Sequence, residues 1–386
     1  MTLTLRTLAA FAAGATLAAA GGTAVAQDKT IKLSVLMPIS GPGSYFGVQG
    51  RQGVDLALEQ LNKTGVNGYK FQVSYEDSQC SPLPATNAVK RTLENVKPHI
   101  VIGEECSDAS LAIAPILEQA KVPMLNAGSS ALKLTESGYK YVFRIFPTAL
   151  QQADSLAQNM VKKMNAKTAV ILHEKTNAGI DIADSFEQVF TKLGGKVVAR
   201  IDFTRDVNDF TSIATRIAGL GQVDVLPTFA LEGQTVKLAQ ALAQAGVVKG
   251  GGGKAIQVGT IWLPWGFEAK AGKSSQGYIR IVQFDPGENR KIVQDFVKAF
   301  KAKYGQDQVP THINAHAYDT LLLVAEAVKR GGNDAQSIRD QLAKMRGVEV
   351  TTGVIDFDAK GQTENLSIIH YVETTPELGW KTLNWN

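Results

Sequence analysis

The sequence predicts an α/β chain of two doubly wound lobes, each a parallel sheet with helices on both faces. Short apolar, β-branched runs alternate with amphipathic stretches of roughly 10–15 residues, the pattern that builds parallel sheets. The alternation restarts once, near residue 150. The chain of 386 residues also exceeds what a single core holds comfortably, so two domains are expected.

The elements follow in order. Ile31–Pro38 reads as a strand, Gly41-Pro42-Gly43 as a loop, and Gly50–Asn62 as a helix with Val54, Leu58 and Leu61 on one face. Phe71–Glu76 alternates as a strand. Helix Pro84–Asn95, strand His99–Gly103, helix Ser110–Gln119, and strands Val122–Asn126 and Tyr141–Ile145 complete the first run. The second run is helix Ala153–Met164, strand Thr168–His173, helix Ile180–Leu193 and strand Lys196–Asp202. It continues as helix Phe210–Gly219, strand Val223–Thr228, helix Gly233–Ala245 and strand Ala255–Ile261, with a helix at Thr311–Arg330 further on.

Residues 1–26 read as a cleavable signal peptide. Arg6 is their single charge, the apolar core runs from Leu8 to Ala20, and Ala24-Val25-Ala26 fits the small-x-small rule, with cleavage expected after Ala26. Beyond it no stretch reaches the ~18 apolar residues a membrane helix needs, so an exported protein without direct membrane insertion is expected. The net charge of +4 is not gathered into a patch, since Lys162-Lys163 and Arg290-Lys291 stand alone. Neither nucleic acid nor an anionic membrane is indicated as a partner. Cys80 and Cys106 are the two cysteines. In an oxidising compartment an even pair is expected to be bridged, and chain entropy gives such a bridge roughly 3–4 kcal/mol.

In doubly wound sheets, ligands bind beyond the carboxyl ends of the strands. Here those ends are Pro38–Gly47, Gly103–Ala109, Asn126–Ala131, His173–Gly179, Thr228–Gly233 and Gly259–Trp265. Ser107, Ser110, Ser129 and Ser130 offer hydroxyls and amides near helix starts, where anions are favoured. Ser107 or Asp108 could instead serve only as an N-cap. Tyr45, Phe46, Trp262 and Trp265 lie on the same loops and could wall an apolar cleft. Catalytic patterns are weak. There is no G-x-S-x-G or phosphate loop, and His173 beside Glu174 reads as a polar strand end. His312 and His316 have metal-capable i, i+4 spacing but no evident third ligand. No catalytic residue, metal or cofactor is expected.

These segments together resemble the bacterial branched-chain (hydrophobic) amino-acid binding proteins that feed ABC importers, over residues 29–386. The resemblance is carried by Ser40-Gly41-Pro42 through Phe46-Gly47, Gly53-Val54 and Asn62, and the two cysteine segments. Gly128-Ser129-Ser130-Ala131-Leu132-Lys133-Leu134-Thr135, Tyr141–Arg144 and Ala317-Tyr318-Asp319 also carry it. It implies the type I periplasmic binding protein fold: two Rossmann-like lobes joined by three hinge crossovers, near Phe146–Ala149, Gln283–Asp285 and Val350–Gly353. Lobe 1 would then comprise residues 27–148 and 282–351, and lobe 2 residues 149–281 and 352–386.

The resemblance also implies that Ser107 and Gly128-Ser129-Ser130 hold a ligand carboxylate and that Phe46 packs the ligand's tail. Two positions depart from the family pattern. Ala178 stands where an aromatic is usual, and Thr260 through Trp265 carries no acid to meet an ammonium, so Glu232 is the candidate substitute. The ligand is then a hydrophobic amino acid or an aromatic acid. The implied function is periplasmic capture of a small molecule by a monomer and delivery to a membrane permease. An exported sensor of the same fold is the alternative, and a hydrolase using Ser130 and His173 a more distant one.

Overall fold

The structure, a computed structural model, describes residues 29–41, 43–259, 262–263, 266–363 and 370–383. The expected leader and Trp265 lie outside the described residues.

The first sheet is built from β1 (Lys29–Met37), β2 (Tyr69–Asp77), β3 (Ile100–Ile102), β4 (Met124–Asn126) and β5 (Val142–Arg144), all parallel, in the order β2-β1-β3-β4-β5. β1 lies inside the sheet between β2 and β3, with Ile31, Leu33, Val35 and Met37 on one face, while the other carries exposed Lys32 and buried Ser34 and Leu36. Ile31, Leu33 and Val35 pack on one side with α1 (Ser44–Thr64), and Leu36 packs on the other with α2 (Pro82–Asn95) and α3 (Ser107–Ala120). A short helix, α4 (Lys133–Glu136), precedes β5.

The second sheet begins after α5 (Ala149–Met164), whose start is fixed by a capping box between Thr148 and Gln151. Its strands are β6 (Thr168–Glu174), β7 (Lys196–Phe203), β8 (Val225–Phe229), β9 (Ile256–Gly259) and β10 (Ile279–Val282). They alternate with α6 (Asn177–Lys192), α7 (Thr211–Ala218), α8 (Glu232–Gln244) and the short α9 (Phe267–Ala271). Ala169 and Ile171 of β6 face α5 and α6, while Val170 and Leu172 face α7 and α8.

The chain then supplies α10 (Lys291–Tyr304), α11 (His312–Lys329) and α12 (Ala335–Ala343), all packed in the first lobe's core. Gly53 lets α1 approach α11, since a Cβ there would stand 2.1 Å from the Asn314 carbonyl oxygen. The hairpin β11 (Val348–Val350) and β12 (Gly353–Ile355) follows. Last come β13 (His370–Thr374) and β14 (Trp380–Leu383), which complete the second sheet in the order β14-β13-β10-β9-β8-β6-β7. Pairing of β10 with β13 and of β13 with β14 is antiparallel, so this edge departs from the all-parallel sheet expected.

The chain passes from β5 to the second core at Phe146, and from β10 back to the first core at Phe284. The third crossing is not at Val350–Gly353. That segment is the β11–β12 turn, and Val350, Ile355 and Phe357 lie in the first lobe's core. Gln362 then bridges Arg144 at the edge of the first sheet, and the Thr363 amide donates to the Arg144 carbonyl at 3.0 Å. The first lobe therefore holds the chain through Thr363, and the second holds it again at β13. No helix among the described residues is long and apolar enough to cross a membrane.

Candidate ligand-binding site

The carboxyl ends of both sheets face each other across a cleft lined by both lobes, the place where doubly wound sheets bind ligands. One wall is Phe46 from α1, Glu105 to Asp108 at the start of α3, and Gly128 and Ser130 after β4. The facing wall is Glu174 at the end of β6, Thr176 and Ala178 at the start of α6, Arg205 after β7, Leu231 before α8, and Trp262 after β9.

Cys80 and Cys106 are joined, with Cα atoms 5.2 Å apart, and the bridge ties the start of α2 to the start of α3. Cys106, not Ser107 or Asp108, is the N-cap of α3. Ser107 is the first helical residue, and its Oγ accepts the amides of Ser130 and Ala131, each at 3.2 Å. The hydroxyl thus pins the loop after β4 while its own proton stays free to donate. Ser130 Oγ is buried, 1 % exposed, and has no hydrogen-bond partner among the described residues.

Arg144, fully buried, holds the same loop from behind. It donates to the carbonyls of Ser129 (3.1 Å) and Ala131 (2.6 Å), to Thr135 Oγ1 (2.8 Å) and to Gln362 Oε1 (2.6 Å). Burial lowers its pKa to about 10, which still leaves it charged at neutral pH.

Phe46, Ser107, Gly128, Ser130, Ala178 and Trp262 therefore meet at one cavity, and three other named residues do not line it. Ser129 turns inward, its Oγ donating to the Glu104 carbonyl at 2.8 Å and contacting Ser110 Oγ. Tyr45 stacks on Phe46 and donates to the Trp262 carbonyl at 2.9 Å, bracing the wall from outside. Glu232, the candidate ammonium partner, opens α8 with Oε2 paired to Lys270 Nζ at 2.9 Å, while its buried Oε1 has no partner among the described residues.

The charges that do line the cavity include three acids and a cation that sequence reading did not single out as ligand contacts. Glu174 accepts from Arg205 Nε (3.3 Å) and from the Leu231 amide (3.2 Å). Arg205 also reaches across to the Cys80 carbonyl at 3.3 Å. Asp108 Oδ1 is met by Asn177. Glu105 is 8 % exposed, and burial and the neighbouring Glu104 push its pKa up to about 8.

His173, the base of the hydrolase alternative, does not line this cavity. His173 contacts the Glu174 carbonyl through Nδ1 (2.9 Å) and accepts from Arg200 Nε through Nε2 (2.9 Å), away from Ser130. Burial lowers its pKa, in keeping with a neutral ring. His316 Nδ1 contacts the His312 carbonyl, and among the described residues no three potential metal-ligating side chains gather.

The chain is 28 % identical over 354 residues to the leucine-, isoleucine-, valine-, threonine- and alanine-binding protein of Pseudomonas aeruginosa, covering 89 % of each. Its fold matches a branched-chain amino acid transporter substrate binding protein from Streptococcus pneumoniae, in complex with isoleucine. That match has TM-score 0.82 and 23 % identity, over 92 % of this chain and 99 % of the other. It matches equally a solute binding protein of an ABC transporter from R. palustris, in complex with benzoate. There the TM-score is 0.82 and the identity 22 %, over 92 % and 95 %. A family described as periplasmic binding protein matches residues 30–372, and the chain belongs to that family, whose members bind solutes rather than transform them.

Proposed function

We propose that this protein is an exported solute-binding protein of an ABC importer. Its leader is removed after Ala26. As a monomer it captures a small carboxylate-bearing ligand, a hydrophobic amino acid or an aromatic acid, by closing its two lobes. It then hands the ligand to a membrane permease.

The observation that carries this reading is the Ser130 hydroxyl, buried beside the first turn of α3 with no partner among the described residues. A buried hydroxyl without a partner costs about 1–3 kcal/mol, and an anion between Ser130, Ser107 and the helix start would recover it. Phe46, Leu231 and Trp262 supply the apolar wall for a tail, and the small Ala178 leaves room beside them. The relatives support the same ligand classes, one named for branched-chain and small amino acids and another holding benzoate.

A thermal-shift screen against amino acids, aromatic acids, and the amides of both tests the reading. Carboxylates should raise the melting temperature by mass action while the amides leave it unmoved. Equal shifts with acid and amide, or no shift with any carboxylate, would overturn it.

A further inference from the structure

We propose that Glu105 selects the ligand by receiving a cationic nitrogen carried beside the ligand's carboxylate, so that an α-amino acid binds in preference to the matching acid without its amino group. The inference rests on the carboxylate reading of the cavity.

Placement is the first argument. Glu105 lines the cavity, is 8 % exposed, and receives no hydrogen bond to its carboxyl group from any described residue. Its Oε2 lies so close over Gly128 that a Cβ there would stand 1.7 Å away. Gly128 is two residues before Ser130, whose amide is held by Ser107. The Glu105 carboxyl group is thus adjacent to the residues offered to the ligand carboxylate. In an α-amino acid the nitrogen sits two bonds from the carboxylate carbon, so its counter-charge must stand next to the carboxylate cradle.

Elimination is the second. Of the other charged groups facing the cavity, Glu174 and Arg205 are paired with each other, and Asp108 is held by Asn177. Glu104, next in the chain, points away and accepts from Ser78 Oγ and the Cys106 amide. Glu232 does not line the cavity, and its Oε2 is paired with Lys270. Glu105 alone of the charged groups lining the cavity has no partner among the described residues, and an unpaired buried charge is costly. Burial and Glu104 hold its proton to about 8, which removes that cost until a cation arrives.

The test is calorimetric titration of the purified protein with two matched pairs, leucine with isocaproate and phenylalanine with hydrocinnamate, in buffers of different ionisation enthalpy. Within a pair that binds, the amino acid should be tighter by about tenfold or more, and near pH 7 it should release close to one proton per ligand as Glu105 ionises. In Glu105→Gln, which keeps the shape, the preference should fall toward parity and the proton release should vanish. An undiminished preference in the variant overturns the inference. So does an amino acid binding without proton release, or a wild-type protein that takes only acids lacking the amino group. Each of these outcomes leaves the carboxylate reading standing, whereas silence toward every carboxylate sinks both.

Discussion

Asp108 Oδ1 accepts from both the backbone amide (3.1 Å) and the side-chain amide (2.6 Å) of Asn177, joining the first turn of α3 in one lobe to the first turn of α6 in the other. The contact crosses the cleft beside the cavity, so under the proposed closing of the lobes it would hold them together over a ligand and be lost when they part. Asn177→Ala should weaken ligand binding by roughly threefold to tenfold, the worth of one hydrogen bond, mainly through faster release. The melting temperature without ligand should hardly move. Titration calorimetry and thermal melts check this pair of outcomes, and a melting loss without an affinity loss would count against a closing role.

Arg144 positions the loop that carries Ser130, and its fork meets acceptors at Ser129, Ala131, Thr135 and Gln362. Arg144→Met would leave those buried acceptors unmet, costing about 3 kcal/mol or more in a denaturant melt. Arg144→Lys should not restore stability, because an ammonium cannot reproduce the planar fork. Ligand affinity should fall in both variants.

The Cys80–Cys106 bridge spans 26 residues and borders the cavity through Cys106. Reduction, or Cys80→Ala with Cys106→Ala, should cost roughly 3–4 kcal/mol by chain entropy. It should also weaken binding, since the α3 start loses its tether. Retained affinity in a destabilised variant would make the bridge purely structural.

Much of this was legible in the sequence, and the gaps have physical causes. The strand Ile31 to Met37 announces itself because apolar Ile31, Leu33, Val35 and Met37 alternate along its core face. The strand-end loops of both runs were legible for the same reason. The β11–β12 hairpin was not, because three-residue strands bounded by Thr351 and Thr352 carry little pattern, and Val350 is buried only by the helices that return to it. Arg205 was missed because it follows β7, an edge strand whose loop turns inward only through contacts with Glu174 and Cys80. Glu105 sits in an acidic loop that reads as solvated, and only Gly128, distant in sequence, reveals what covers it. Glu232 looked available because Lys270, its partner, belongs to another helix.

Glu104 and Glu105 give a pH signature. Their carboxyl groups start from an ordinary pKa of 4.5 and are pushed up to about 7 and about 8, burial being the first cause for each. Above 4.5 the unfolded chain has released these protons while the folded protein keeps them. The two groups therefore favour the folded state at low pH, and that contribution is lost as pH rises toward about 8. Without ligand, the melting temperature of wild type relative to Glu105→Gln should decline steadily between about pH 5 and about pH 8. Parallel curves would show that Glu105 is ionised in the folded protein.

The most direct test of the central claim is a crystal structure of the protein with the acid that gives the largest thermal shift. The account expects that ligand between the lobes, its carboxylate within about 2.6–3.2 Å of Ser130 Oγ and the start of α3, and its tail against Phe46 and Trp262. A ligand bound outside the cleft, or one whose carboxylate points away from Ser130, would contradict it.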